Sequence, residues 1–195
     1  MPIKIFPYFS IQKQLKMILA RKGMYEKLSH WKNRNKDRMN DVYEGRVWQD
    51  NLQFFQQNGI GLMMNIDWFK PFGSFKYSIG AIYLVIMNLP REERFKEENM
   101  IIAGLIPGKK EPNCYQMDNI LKILIQELNS LERHNLFTIK NESSQNISLF
   151  CKVRLLCVAC DIPAARKVCG FLSHNATHGC SKCHKEFPRR VGTIF

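Results

Sequence analysis

Two aspartates and one cysteine pair are the residues in this chain whose types and settings suit chemistry. Asp67 closes the apolar run Gly59-Ile60-Gly61-Leu62-Met63-Met64-Asn65-Ile66, and Asp161 closes Val153-Arg154-Leu155-Leu156-Cys157-Val158-Ala159-Cys160. Both runs have the length and borders of buried strands. A charge beside a core strand is costly unless it is paired or coordinated. Asp67 therefore has two readings, a turn-forming residue where the strand runs out or a hard oxygen ligand for Mg2+ or Mn2+. Two such carboxylates together serve phosphoryl transfer, in which two ions about 3.5–4 Å apart clamp the attacking and leaving oxygens. Further on, Cys180-Ser181-Lys182-Cys183 lies among His174, His178 and His184. Thiolates at that spacing suit tetrahedral Zn2+. The competing readings are a redox pair, for which no thioredoxin-like context is present, and a chance pairing. Cys157, Cys160 and Cys169 read as small core residues.

The elements that must position these groups follow from periodicity. Ile11, Leu15, Ile18 and Leu19 fall at helical spacing, with Gly23 as a stop. A second helix is expected over 24–31, and the basic run at 32–38 reads as a loop, either a nucleic-acid contact or a plain linker. Residues 41–55 form a packed approach to the core. After the Asp67 strand come apolar strands at 77–90 and 100–106, the latter stopped by Pro107-Gly108. Connections this short imply antiparallel neighbours. Met117, Ile120, Leu121, Leu124, Leu128 and Leu131 predict a helix with Asp118 in its first turn. Residues 137–150 form a hairpin or loop, and Pro163 opens a helix over 164–172. Strand-Asp, strand, strand, helix, strand-Asp, helix is the order of a ribonuclease-H-like α/β sheet. In that sheet the fourth strand lies parallel beside the first, and Asp67 meets Asp161.

Composition bounds the alternatives. At 195 residues and 45% hydrophobic content the chain suits one domain with a real core. It has no apolar run of membrane-spanning length and no signal-peptide layout at Met1-Pro2-Ile3-Lys4. Seven cysteines, clustered late, do not form a secreted disulfide framework and point to a reducing compartment. The net charge of +12 is concentrated at the ends. Residues 1–50 hold eleven Lys and Arg against five acids, residues 152–195 hold eight against two, and the middle is neutral. Basic flanks around a neutral centre suit a polyanion.

Three patterns carry a resemblance: GLxxNxDxFxPF at 61–72, YSxGxIYLVIxNLP at 77–90 and RFKxENMxxxGLIPG at 94–108. With Asp161-Ile162-Pro163-Ala164 and the CxxC, residues 41–187 resemble the transposase domain of CACTA-type (En/Spm) DNA transposons. The resemblance implies a DDE-type transposase acting on transposon ends in the nucleus, with Asp67 and Asp161 as the first two catalytic acids on Mg2+ or Mn2+. It further implies that Cys180 and Cys183 belong to a Zn2+-type insertion between the second acid and a final Glu. The expected organisation is a basic helical segment at 1–50, a ribonuclease-H-like core at 51–172 and the start of the CxxC insertion at 173–195. No third acid, later His pair or further strand follows the CxxC, and Glu186 lies too close to it to be the family's Glu. The expectation is therefore a truncated catalytic domain, inactive by itself, that binds DNA and self-associates. The rival readings are a non-enzymatic zinc and nucleic-acid binding module, and an interaction protein whose basic flanks bind RNA.

Overall fold

A computed structural model describes residues 5–33, 39–71, 77–108, 111–133, 135–172, 176–180 and 183–187. Most of the basic run at 32–38, and His174, lie outside the described residues. The chain runs through α1 (Ile11–Leu19), α2 (Met24–Ser29), α3 (Arg46–Asp50) and α4 (Leu52–Gln56) into β1 (Ile60–Phe69). It continues through β2 (Ser78–Ile86), α5 (Arg91–Arg94), β3 (Met100–Gly108) and α6 (Cys114–Leu131). The hairpin of β4 (Asn135–Lys140) and β5 (Asn146–Cys151), then β6 (Val153–Val158) and α7 (Ile162–Val168), complete it.

The result is a mixed α/β fold. Its main sheet has the order β3-β2-β1-β6. The first three strands form the expected antiparallel meander, and β6 pairs parallel with β1 after the crossover through α6. Alternation along the strands sorts the faces. Ile60, Leu62, Met64 and Ile66 point to one side, beside Ile82, Leu84 and Ile86 in register. Helices α1 and α6 cover that side with Ile11, Leu15, Ile18 and Leu19 and with Met117, Leu121, Leu124, Leu128 and Leu131. A nine-residue helix is too short to persist alone, and burying a Leu or Ile is worth about 1.5–3 kcal/mol. Helix α1 exists because of this contact.

A carboxylate fixes that helix in place. Glu127 of α6 accepts from Ser10 Oγ at 2.7 Å, from the backbone N–H groups of Gln12 and Ile11 at 3.0 and 3.1 Å, and from the Tyr8 hydroxyl. It thereby satisfies the open donors at the start of α1. Just before that helix, Phe9 N–H donates to Ala103 O and Leu105 N–H to Pro7 O. The Gln14 side chain bonds both the N–H and C=O of Ile102. The outer edge of β3, otherwise open to pairing with another chain, is covered by these contacts. Gly104 is required there, because a Cβ would sit 2.4 Å from the Phe6 ring.

Among the described residues the second face is covered at one end only. Trp31, Tyr43, Trp48 and Phe55 pack with Met87 and against Met63 and Leu156. A buried polar network ties this cluster to the sheet. Asn88, 3% exposed, accepts from Gly61 N–H at 2.8 Å and donates to Gly59 O at 2.9 Å. Tyr43 donates to the carbonyls of Asn88 and Leu89. Arg94, also 3% exposed, makes a two-pronged pair with Asp41 at 2.8 and 2.9 Å and bonds Leu89 O.

Three local expectations are corrected. Asn113 and Gln116 form a reciprocal cap at the start of α6, so the helix begins at Cys114 and Asp118 falls beyond its first turn. The last helix ends at Val168 rather than Leu172, because Gly170 turns left-handed (φ 70°) and Phe171 N–H folds back to Arg166 O. Cys157 and Cys169 are exposed and are not core residues, whereas Cys151 is buried, its thiol pushed up to about 12 by that burial.

Two outcomes follow for stability. Burial disfavours the charge on Glu127, but the bonds from Tyr8, Gln12, Ser10 and Ile11 outweigh it and hold the carboxyl below its ordinary value. Its contribution is fully present above the unfolded value and is lost as pH falls through the lower folded one. The urea stability gap between wild type and Glu127→Gln should be constant near neutrality and close on acidification; a gap that widens in acid would refute this account. Asn88→Ala strands two buried backbone groups and should cost about 2–4 kcal/mol by chemical denaturation. A loss below about 0.5 kcal/mol, the size of an ordinary surface change, would show that the clamp is dispensable.

Candidate metal centre

On the second face the aromatic cover stops at Met63, and the odd-numbered residues of β1 beyond it reach the surface. Asn65 is half-buried and Asp67 is exposed. Hydration rather than a partner therefore removes the cost that the sequence pattern raises for Asp67. The backbone here is rigidly set, since Asp67 stands opposite Ala81 inside a β1–β2 ladder that continues to Phe69. Tyr83 lies on the same face opposite Asn65. Burial raises the pKa of its hydroxyl, and the charge of Asp67 adds to the effect.

Asp161 is reached by another route. The parallel pairing advances to Met64 opposite Val158, after a register shift between Leu62 and Met63. Ala159 N–H then donates to Met64 O at 2.8 Å. Strand β6 ends at Val158, so Asp161 lies beyond the ladder rather than closing the strand, three residues after Val158 as Asp67 is three residues after its partner Met64. Asp161 caps α7, its Oδ1 accepting from Ala164 N–H at 2.8 Å, with Pro163 in the first turn as expected. Burial raises the pKa of the Cys160 thiol, in the turn after β6, whose sulfur accepts from Ile66 N–H. The bond from Ile66 opposes this rise, while the charges of Asp161, Cys169 and Asp67 reinforce it. Both carboxylates are thus within electrostatic reach of one sulfur.

The donor set fits a hard divalent cation in kind. Both carboxylates are exposed, and Asp161 commits only Oδ1 to its helix. Among the described residues no group of three His, Cys, Asp or Glu gathers closely enough to hold a metal ion. Water would fill most of the six positions that Mg2+ requires.

The cysteine pair is also brought together. The Sγ atoms of Cys180 and Cys183 are 3.3 Å apart, in a loop closed by Phe187 N–H donating to Thr177 O at 2.7 Å. Of the two described histidines nearby, His178 Nε2 lies 3.8 Å from Glu186 Oε1 and His184 is exposed. Sequence reasoning missed Asn65, Tyr83 and Cys160. Alternation was the available signal for the first, since Asn65 precedes Asp67 by two residues and must share its face.

Comparison with known proteins adds one positive finding. The sequence model of the family described as Transposase family tnp2 matches residues 26–191, a span holding both aspartates, Asn65 and the cysteine pair. Comparison with curated proteins gives no match. The family match covers most of the chain, and the chain belongs to the tnp2 transposase family.

Proposed function

We propose that this chain supplies the two-aspartate part of the centre that cuts and joins DNA in a CACTA-type (En/Spm) transposase of the DDE class, built on a ribonuclease-H-like sheet and acting in the nucleus. The observation that supports the reading is the parallel pairing of β1 with β6, which sets Met64 opposite Val158 three residues before Asp67 and Asp161, both of them exposed. Asp67 and the free oxygen of Asp161 would hold Mg2+ or Mn2+, which supplies charge stabilisation at phosphate and an activated water. The protein's own contribution is placement. Asp67 is set by a ladder on its β2 side, and Asp161 by its cap on α7. The basic ends of the chain would draw the DNA backbone toward this face.

The cysteine pair supports a second reading, that the chain also holds Zn2+ through Cys180 and Cys183 as a nucleic-acid binding module. Two sulfurs 3.3 Å apart in a closed loop favour it, and further ligands would be histidines.

Three measurements test these readings. Mn2+ titrated by electron paramagnetic resonance should bind weakly to the wild type and at least tenfold more weakly to Asp67→Asn and Asp161→Asn; unchanged binding in either would remove the centre. Nicking of duplex DNA with Mg2+ or Mn2+ should stay at background for this chain, because two aspartates alone do not complete a two-ion cage. Metal-dependent nicking abolished by Asp67→Ala and by Asp161→Ala would show the chain to be a working nuclease. Binding to unrelated duplexes should fall steeply with salt, with a log–log slope of about −5 for a footprint of about six phosphates; a flat dependence would refute the electrostatic reading.

A further inference from the structure

We infer that Asn65 and Cys160 are positioning residues for the aspartate pair, joining β1 to the turn that carries Asp161 where the main-chain ladder has ended. The inference rests on the two-aspartate reading above and concerns which side chains make it geometrically possible.

Strand β6 ends at Val158, and Ala159 N–H to Met64 O is the last main-chain link between the parallel segments. Asp161 lies two residues beyond that link, where the chain is leaving the strand for α7. Two side-chain bonds take over. The Asn65 amide donates to Ala159 O, and Ile66 N–H donates to Cys160 Sγ at 3.2 Å. The exchange is reciprocal. Strand β1 provides a side-chain donor for the backbone of the turn, and the turn provides a side-chain acceptor for the backbone of β1.

The two bonds also lie on opposite faces. Asn65 shares the open face with Asp67, whereas Cys160 packs against the main core. Together they keep the turn from pivoting toward either side, and they tie the two residues before Asp161 to the two before Asp67. Asp67 needs no such help, since its β2 pairing continues two residues past it. The asymmetry identifies Asp161 as the member of the pair whose position depends on side chains. It also gives Cys160 a role that neither a core filler nor a metal ligand would have: its sulfur is committed to a backbone N–H.

The test uses this chain without DNA and has two readouts. In metal-free protein, amide hydrogen exchange should rise at least tenfold at Ala164, whose N–H is held by Asp161, in Asn65→Ala and in Cys160→Ala. Exchange at Ile82 and Leu84 should be unchanged, which excludes general unfolding. Cys160→Ser, which keeps an acceptor, should restore protection. In Mn2+ titrations the Asn65→Ala and Cys160→Ala variants should lose roughly tenfold in affinity, with Cys160→Ser within twofold of wild type. If Asp67→Asn weakens Mn2+ binding while Asn65→Ala and Cys160→Ala leave both exchange and affinity unchanged, the positioning role is wrong and the metal reading survives. If Asp67→Asn has no effect on Mn2+, the metal reading fails; exchange at Ala164 then decides by itself whether Asn65 and Cys160 hold the turn. Should Asn65→Ala expose Ile82 and Leu84 as well, the Cys160→Ala and Cys160→Ser pair carries the decision.

Discussion

The Asn88 clamp is the interaction on which the other parts of this fold depend. A side-chain amide, sealed from water, takes the N–H of Gly61 and the C=O of Gly59. It fixes the end of β2 against the start of β1, and its own carbonyl receives Tyr43. One residue on, Leu89 O accepts from Tyr43 and Arg94, and Arg94 holds Asp41. Breaking such a network leaves buried groups with neither partner nor water, at a cost of about 1–3 kcal/mol each. The aromatic cluster, the first strand pair and the entry to α5 are therefore one cooperative unit. Asn88, Arg94 and Asn99 are three of the four buried polar side chains among the described residues, and all three fall in the patterns that carry the family resemblance. Part of what looks like a functional signature is thus a structural clamp.

From that anchor the sheet becomes progressively less constrained along β1. At Gly61 the strand is held by Asn88, β2 and β6, and it is covered on both faces. At Met63 the aromatic cluster ends. At Asp67, among the described residues, the β2 ladder and one packed face remain, and the side chain is exposed. The candidate site lies where the scaffold still fixes the backbone but no longer excludes a ligand.

The sequence made the strands, their order and the main helix legible because each has a strong period and clear borders. The runs at 60–69, 100–106 and 117–131 are apolar at the spacing their element demands. The parallel pairing of β6 with β1 followed from topology, since a helical crossover returns the chain parallel to where it began. What was not legible depends on contacts distant in sequence. Asn88 reads as one polar residue in a strand run until its partners 27 and 29 positions away are known. Cys160 reads as filler because its acceptor role exists only beside Ile66. Asp67 reads as a buried charge because a linear pattern does not say where the aromatic cover of a face ends. Helix ends erred for a local reason, as with Gly170, whose left-handed turn competes with an otherwise helical run.

The docking of α1 has a consequence for how the chain is made. The carboxylate that receives Tyr8, Ser10, Ile11 and Gln12 is more than a hundred residues downstream, and the helix faces that bury Leu15 and Leu19 come equally late. During synthesis at about 5–20 residues per second, the amphipathic start of the chain waits roughly 6–20 s with its apolar stripe bare. This segment leaves the ribosome long before the partner that seats it, and only then closes the edge of β3. Until that moment the meander is a sheet with an unguarded border, and a second nascent copy offers it the same strand-like segment in trans.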